Sequence, residues 1–156
     1  MTAARSDGRA APLELPHTWR PLGTRLALFF FGGLLVAVCA VFWIAIGPEM
    51  RSEFTPLQRV TLVLFGVLLF VTYYGLERCR LVATAQGLTV VNGYRTRRFE
   101  WSQVIGLSLR RGAPWATLDL SNGTTTSVMG IQGSDGDRAR RAVREVRRCI
   151  AAYTPN

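Results

Sequence analysis

Lysine is missing altogether: all 19 basic residues of this 156-residue chain are arginine. Replacing every lysine in this way most simply reflects a GC-rich coding bias. Its physical consequence is that every positive group is a planar fork, suited to bidentate contact with phosphate or carboxylate and charged at any accessible pH. Histidine is nearly absent as well. The single one, His17, sits in a proline-containing leader without a neighbouring ligand or base, which removes the usual general base and metal ligand. Three cysteines, Cys39, Cys79 and Cys149, are too few and too scattered for a disulfide framework or a zinc site. They read as small apolar side chains. Acidic residues number ten, so the net charge is +9. The six acids after residue 76 show no paired spacing, and that region has no phosphate-binding glycine loop. No enzymatic chemistry, cofactor or metal is expected.

Charge is also missing locally. No charged residue falls in 26–47 or in 60–76, while 49% of the whole chain is apolar. The first run, LALFFFGGLLVAVCAVFWIAIG, makes roughly 33 Å of helix, enough for a ~30 Å hydrocarbon core. The second, VTLVLFGVLLFVTYYGL, makes roughly 25 Å and is sufficient if Arg59 snorkels and Leu57 extends it. A 25-residue leader before a 22-residue apolar run is a poor fit to a secretory signal. Trp19, Trp43, Tyr73 and Tyr74 suit interfacial anchors. Gly33 and Ala37 form a small-xxx-small pair suited to close helix approach or a homo-oligomer face. Spans without charge argue against a transporter, proton relay or channel. The intervening PEMRSEFTPLQR, with Pro48 and Pro56, predicts a tight helical hairpin.

Four arginines precede the first span, two lie in the connection and five fall in 78–98. This asymmetry predicts a multi-pass plasma-membrane protein with both termini cytoplasmic. Residues 1–25 read as a disordered cytoplasmic arm, 26–76 as the transmembrane hairpin and 77–153 as a cytoplasmic domain. That last part carries thirteen arginines and six acids.

Beyond residue 76 the pattern becomes short alternating runs. Strands are expected over 80–83, 88–91, 95–99, 104–110, 115–120 and 124–129. They are punctuated by Gln86-Gly87, Asn92-Gly93 and Asn122-Gly123. Ile105, Leu107 and Leu109 are expected on one face, and Ala116, Leu118 and Leu120 point inward. Ala139, Ala142, Val143, Val146, Cys149, Ile150 and Tyr153 then fall at helical spacing, with arginines on the remaining surface. Ser134 and Asp137 resemble a cap for that helix, with Asp135 near its positive end. The fold class is therefore a membrane α-hairpin plus an α+β domain: six or seven antiparallel strands closed by a C-terminal amphipathic helix.

The run RCRLVATAQGLTVVNGYRTRRFEWSQVIGLSLRRG, then LDLSNGTT, then the final helix, resembles bacterial pleckstrin-homology (PH)-like domains. It is most similar to the actinobacterial membrane-anchored group of low-molecular-weight antigen 6 type. The resemblance covers about residues 76–152. It implies a PH superfold and no enzymatic activity. In eukaryotic PH domains a basic loop between the first two strands binds phosphoinositides. Its equivalent is expected at Thr84-Ala85-Gln86-Gly87, which is short and uncharged, so specific headgroup recognition is not expected there.

The candidate binding surface is Arg95, Arg97 and Arg98, with Arg110 and Arg111 adjacent across the sheet. Alternation puts Arg95 and Arg97 on one face and Arg98 on the other. Such a surface is either an anionic-headgroup contact or an ordinary solvated face. Trp101 and Trp115 are either core residues or interaction anchors. The arginine face of the last helix makes a poor case for nucleic acid, since a charge run on an amphipathic helix is usually its solvated side. The expected function is a non-enzymatic membrane adaptor engaging the leaflet or an unknown protein partner. The alternative is a structural subunit assembled through its transmembrane helices.

Overall fold

The computed structural model describes residues 14–154. A short strand, β1 (His17–Trp19), opens the fold and is followed by three helices: α1 (Leu22–Ala45), α2 (Gly47–Ser52) and α3 (Pro56–Glu77). Strands β2 (Arg80–Thr84), β3 (Gly87–Asn92), β4 (Arg95–Glu100), β5 (Val104–Ser108), β6 (Trp115–Leu120) and β7 (Thr125–Gln132) come next. Helix α4 (Asp137–Tyr153) completes the chain. The strands form two antiparallel sheets, ordered β1-β2-β3-β4 and β5-β6-β7. The expected PH-like fold is therefore present, with seven strands.

Strand β1 corrects the reading of residues 1–25 as a disordered arm. Residues 1–13 lie outside the described residues, but His17, Thr18 and Trp19 pair with Ala83, Val82 and Leu81 of β2. The domain consequently begins before the hairpin, and both long helices are inserted between two hydrogen-bonded neighbours. Trp19, expected as an interfacial anchor, is instead buried in the core, and its indole Nε1 donates to Glu145 Oε2 on α4 at 2.8 Å.

Helices α1 and α3 are both long and apolar enough to cross a membrane, and their apolar windows are almost wholly exposed. At 1.5 Å per residue they run about 36 and 33 Å. They begin four residues earlier than the charge-free runs, at Leu22 and Pro56. Thr55 and Gln58 form a capping box at the start of α3, with Pro56 at its first turn. A Cβ added at Gly33 would meet nothing within 4 Å, so the tight contact of α1 with α3 on this stretch is at Gly32. A Cβ there would sit 3.4 Å from the Tyr73 ring. The connection is not a bare turn: it contains α2, and Arg51 lies over Trp43 at 5.8 Å.

The core lies between the sheets and under α4. Leu81, Leu88, Val90, Leu107, Leu118, Val128 and Val146 are fully buried in it. The inward residues of β6 and the stripe on α4 fall as their periodicity predicts, except that Tyr153 stays partly exposed and stacks on Trp101. Strand β5 departs from strict alternation. A bulge between Val104 and Gly106 turns Ile105 outward, leaving it 65% exposed. The sheets cross closely at Gly130, where a Cβ would lie 2.6 Å from the Arg80 and Leu81 backbone.

Candidate functional site

The geometry of the helix–domain junction decides which surfaces lie near the apolar helices. Two residues, Arg20 and Pro21, separate β1 from α1, and two more, Arg78 and Cys79, separate α3 from β2. Strand β2 thus runs away from the helices, β3 returns and β4 runs away again. The β3–β4 turn is the near end. Register closes Asn92 against Arg95, leaving Gly93 and Tyr94 as the two-residue loop. Gly93 takes φ +61°, the first position of a II′-type turn. Asn92 is then free to bridge the sheets: its amide donates to Ser127 O at 2.6 Å and accepts from Met129 N at 3.0 Å.

Tyr94 docks onto α3. Its hydroxyl donates to Val71 O, and its ring closes on Gly75, where a Cβ would meet it at 2.9 Å. The Arg78 guanidinium lies 5.6 and 5.9 Å from the Tyr74 and Tyr94 ring centroids. Helix α1 is tied down on its own side. Its N-terminal cap residue, Pro21, offers no side-chain acceptor, and the amides of Leu22 and Gly23 donate instead to Asp135 at 3.0 and 2.9 Å. Asp135 thereby caps α1 from over a hundred residues away, rather than the helix it precedes. Thr24 bonds Gln132, and Arg25 Nε donates to Glu77 Oε1 at 2.7 Å, joining α1 to α3.

The expected arginine cluster separates into two groups. Arg95, Arg97 and Arg98 lie exposed on β4, the free edge of the first sheet. Arg97 and Arg95 share the face of Val90 and Asn92, and Arg97 Nη1 reaches Thr126 Oγ1 at 3.5 Å; Arg98 takes the opposite face. Counting ~3.4 Å per residue, Arg98 stands about 10 Å farther from the turn than Arg95. Arg110 and Arg111 are not across the sheet from them. They belong to the β5–β6 loop of the second sheet and line an open cleft of about 630 Å³. Its other walls include Leu109, Pro114, Ser134 and Arg140. Arg140 was not among the expected site residues, because only the fold brings the first turns of α4 to that loop.

The two domain tryptophans occupy different environments. Trp101 is buried, and its Nε1 donates to the Thr84 and Ala85 carbonyls at 3.1 and 3.2 Å. Trp115 stays 36% exposed beside the cleft residue Pro114. Cys79 and Cys149 are buried and free. Burial, and then the charge of Glu145, push the Cys149 thiol up, so it is a poor nucleophile. Among the described residues no group of three or more metal-ligating side chains occurs.

A family model described as the bacterial PH domain matches residues 78–148. The chain is also 33% identical to an uncharacterised protein of Mycobacterium bovis over 162 aligned positions, which cover all of this chain and 97% of the relative. The chain belongs to the bacterial PH domain family. Uncharacterised proteins from two strains of Mycobacterium tuberculosis match with the same identity and coverage. These alignments run through both apolar helices as well as the PH domain. No solved structure matches. No enzyme family is indicated by the PH match.

The corrected strand count also revises where the loop between the first two strands lies. With β1 in place, that connection is the helical hairpin itself, and Thr84–Gly87 is the turn between the second and third strands.

Proposed function

We propose that this protein is an integral membrane protein that presents its PH domain at the inner face of the plasma membrane, as a non-enzymatic adaptor for the leaflet or for a protein partner. Both termini are cytoplasmic in this reading, and within the family the chain sits with the membrane-anchored low-molecular-weight antigen 6 type. The observation that carries it is the insertion of two apolar helices between β1 and β2. Because those strands pair, residues before α1 and after α3 share one side of the bilayer, and the helices cross it twice. Thirteen arginines on the domain against two in the connection then orient the pair with the domain inward.

Short connections and the contacts of Asp135 and Tyr94 give the domain one attitude toward the membrane rather than a tether. The β3–β4 turn and the segment around Asp135 face the bilayer in this reading. Arginines there are each worth about 1 kcal/mol near an anionic leaflet, fading over a ~8–10 Å Debye length. Arg95 is well placed by that measure, and Arg98 poorly.

A reporter that is active only in the cytoplasm, fused after Asn156, is expected to be active, and one inserted between Ser52 and Thr55 inactive. The reverse pattern contradicts the proposal. A second reading, a subunit assembled through its helices, is favoured by the almost fully exposed apolar surfaces of α1 and α3. Under it, charge changes on the domain leave partner capture intact and substitutions on the helix faces abolish it.

A further inference from the structure

We infer that the cleft between the β5–β6 loop and the start of α4 is a binding site for the phosphate of an anionic lipid headgroup. This inference rests on the membrane placement proposed above and names the ligand class of one surface. Three arginines, Arg110, Arg111 and Arg140, line a single open cleft of about 630 Å³.

Neither Arg110 nor Arg111 has a carboxylate within salt-bridge distance among the described residues. Arg140 has only an exposed contact with Asp137 at 3.6 Å, and such pairs are weak. Three like charges gathered without compensation repel one another, and a bound anion relieves that repulsion. Planar forks select phosphate oxygens through bidentate, charge-assisted hydrogen bonds.

The cleft is held in shape by tight backbone packing. Gly133 N donates to Pro114 O at 2.9 Å, and a Cβ on Gly133 would lie 2.2 Å from Ala113 O. Any side chain there would push the arginine loop away.

Position identifies the lipid as the source of the phosphate. The wall residues Gly133 and Ser134 are followed directly by Asp135, which caps the first amides of α1. The apolar run of α1 begins only four residues after Leu22, at Leu26. The cleft therefore opens at the depth where headgroups lie, beside the point where the helix enters the bilayer. Leu109 and Pro114 add apolar wall that a glycerol backbone contacts and a free ion does not.

The test uses the full chain in non-ionic detergent, with native mass spectrometry counting bound ligand. The probes are dihexanoyl phosphatidic acid, dihexanoyl phosphatidylglycerol, dihexanoyl phosphatidylcholine and inorganic phosphate. The two anionic lipids are expected to bind about tenfold tighter than phosphatidylcholine or phosphate. R110Q/R111Q/R140Q loses about that factor, since one or two charge-assisted bonds account for it. R98Q/R144Q/R148Q removes three exposed arginines that do not line the cleft and retains binding. R110K/R111K/R140K keeps the charge but loses the fork, and is expected to fall between wild type and the glutamine variant.

Equal losses in the cleft variant and the R98Q/R144Q/R148Q control, or full binding by the lysine variant, would reduce the site to diffuse electrostatics and overturn the inference. Inorganic phosphate binding as tightly as the lipids overturns the lipid source. Failure of the membrane reading shows separately, as recovery of the chain in the soluble fraction without detergent. All three cleft arginines are exposed, so a matched thermal unfolding profile checks that each variant is folded.

Discussion

Trp19 joins three parts of the molecule. It belongs to β1, packs into the core against the sheets, and donates its indole N–H to Glu145 on α4. Removing a buried aromatic of this size typically costs 3–5 kcal/mol, from lost transfer energy and the cavity left behind. Trp19→Ala is expected to destabilise the domain by about that amount, whereas Trp19→Phe keeps most of the burial and loses one hydrogen bond, about 1 kcal/mol. Thermal unfolding of the full chain in detergent, followed by near-ultraviolet circular dichroism, reads both. An unchanged midpoint in Trp19→Ala would place the tryptophan outside the core. Other single residues act through geometry rather than burial. Asn92 satisfies both an acceptor and a donor of β7, and Asp135 satisfies two amides of α1 that would otherwise lack partners. Polar residues of this kind hold the two sheets, and the domain and its helices, in fixed relation.

Among the elements, β1 is the one that most alters the architecture. Without it β2 becomes an edge strand, and Leu81 and Ala83 lose the neighbours that Trp19 and His17 supply. A fragment of residues 77–156 is therefore expected to be poorly folded by amide-proton chemical-shift dispersion. A peptide of residues 14–21 added in trans should restore dispersion. Good dispersion from the fragment alone would show that β1 is dispensable.

Why β1 escaped the sequence while its six companions did not is a matter of length and distance. Alternation is legible over five or six residues such as WATLDL. His-Thr-Trp offers three, set among prolines, and its partner lies some sixty residues away across the hairpin. The long-range partners at the site escaped for the same reason. Arg110 and Arg111 stand out as charges, but Arg140 joins them only through the packing of α4 and the close approach at Gly133. The apolar stripe of α4 and the two apolar runs were legible because each is a local, repeated pattern. The bulge at Ile105 was not, since one extra residue leaves the composition of β5 unchanged.

The whole molecule is one PH domain interrupted by a helical hairpin. Two adjacent strands each lead into an apolar helix through two residues, so the domain does not swing on a linker. The near end carries Tyr94 on α3, Asp135 on α1 and the arginine cleft beside it. The far end carries the Trp101–Tyr153 stack and the C-terminus of α4. In the proposed orientation, a cytoplasmic partner would meet the far end and the β4 edge, and the near end would face the leaflet.

A disulfide reports directly on whether β1 and β2 pair across the inserted helical hairpin. Thr18 and Val82 face each other in register, and directly opposed residues of an antiparallel pair lie within reach of a disulfide. Thr18→Cys and Val82→Cys, introduced together with the three native cysteines replaced, are treated with mild oxidant in isolated membranes. A rapid intramolecular cross-link is expected, seen as a mass loss of about 2 Da from the two departing hydrogens. An uncross-linked chain, with the two cysteines labelled from opposite faces of the membrane, would contradict the pairing.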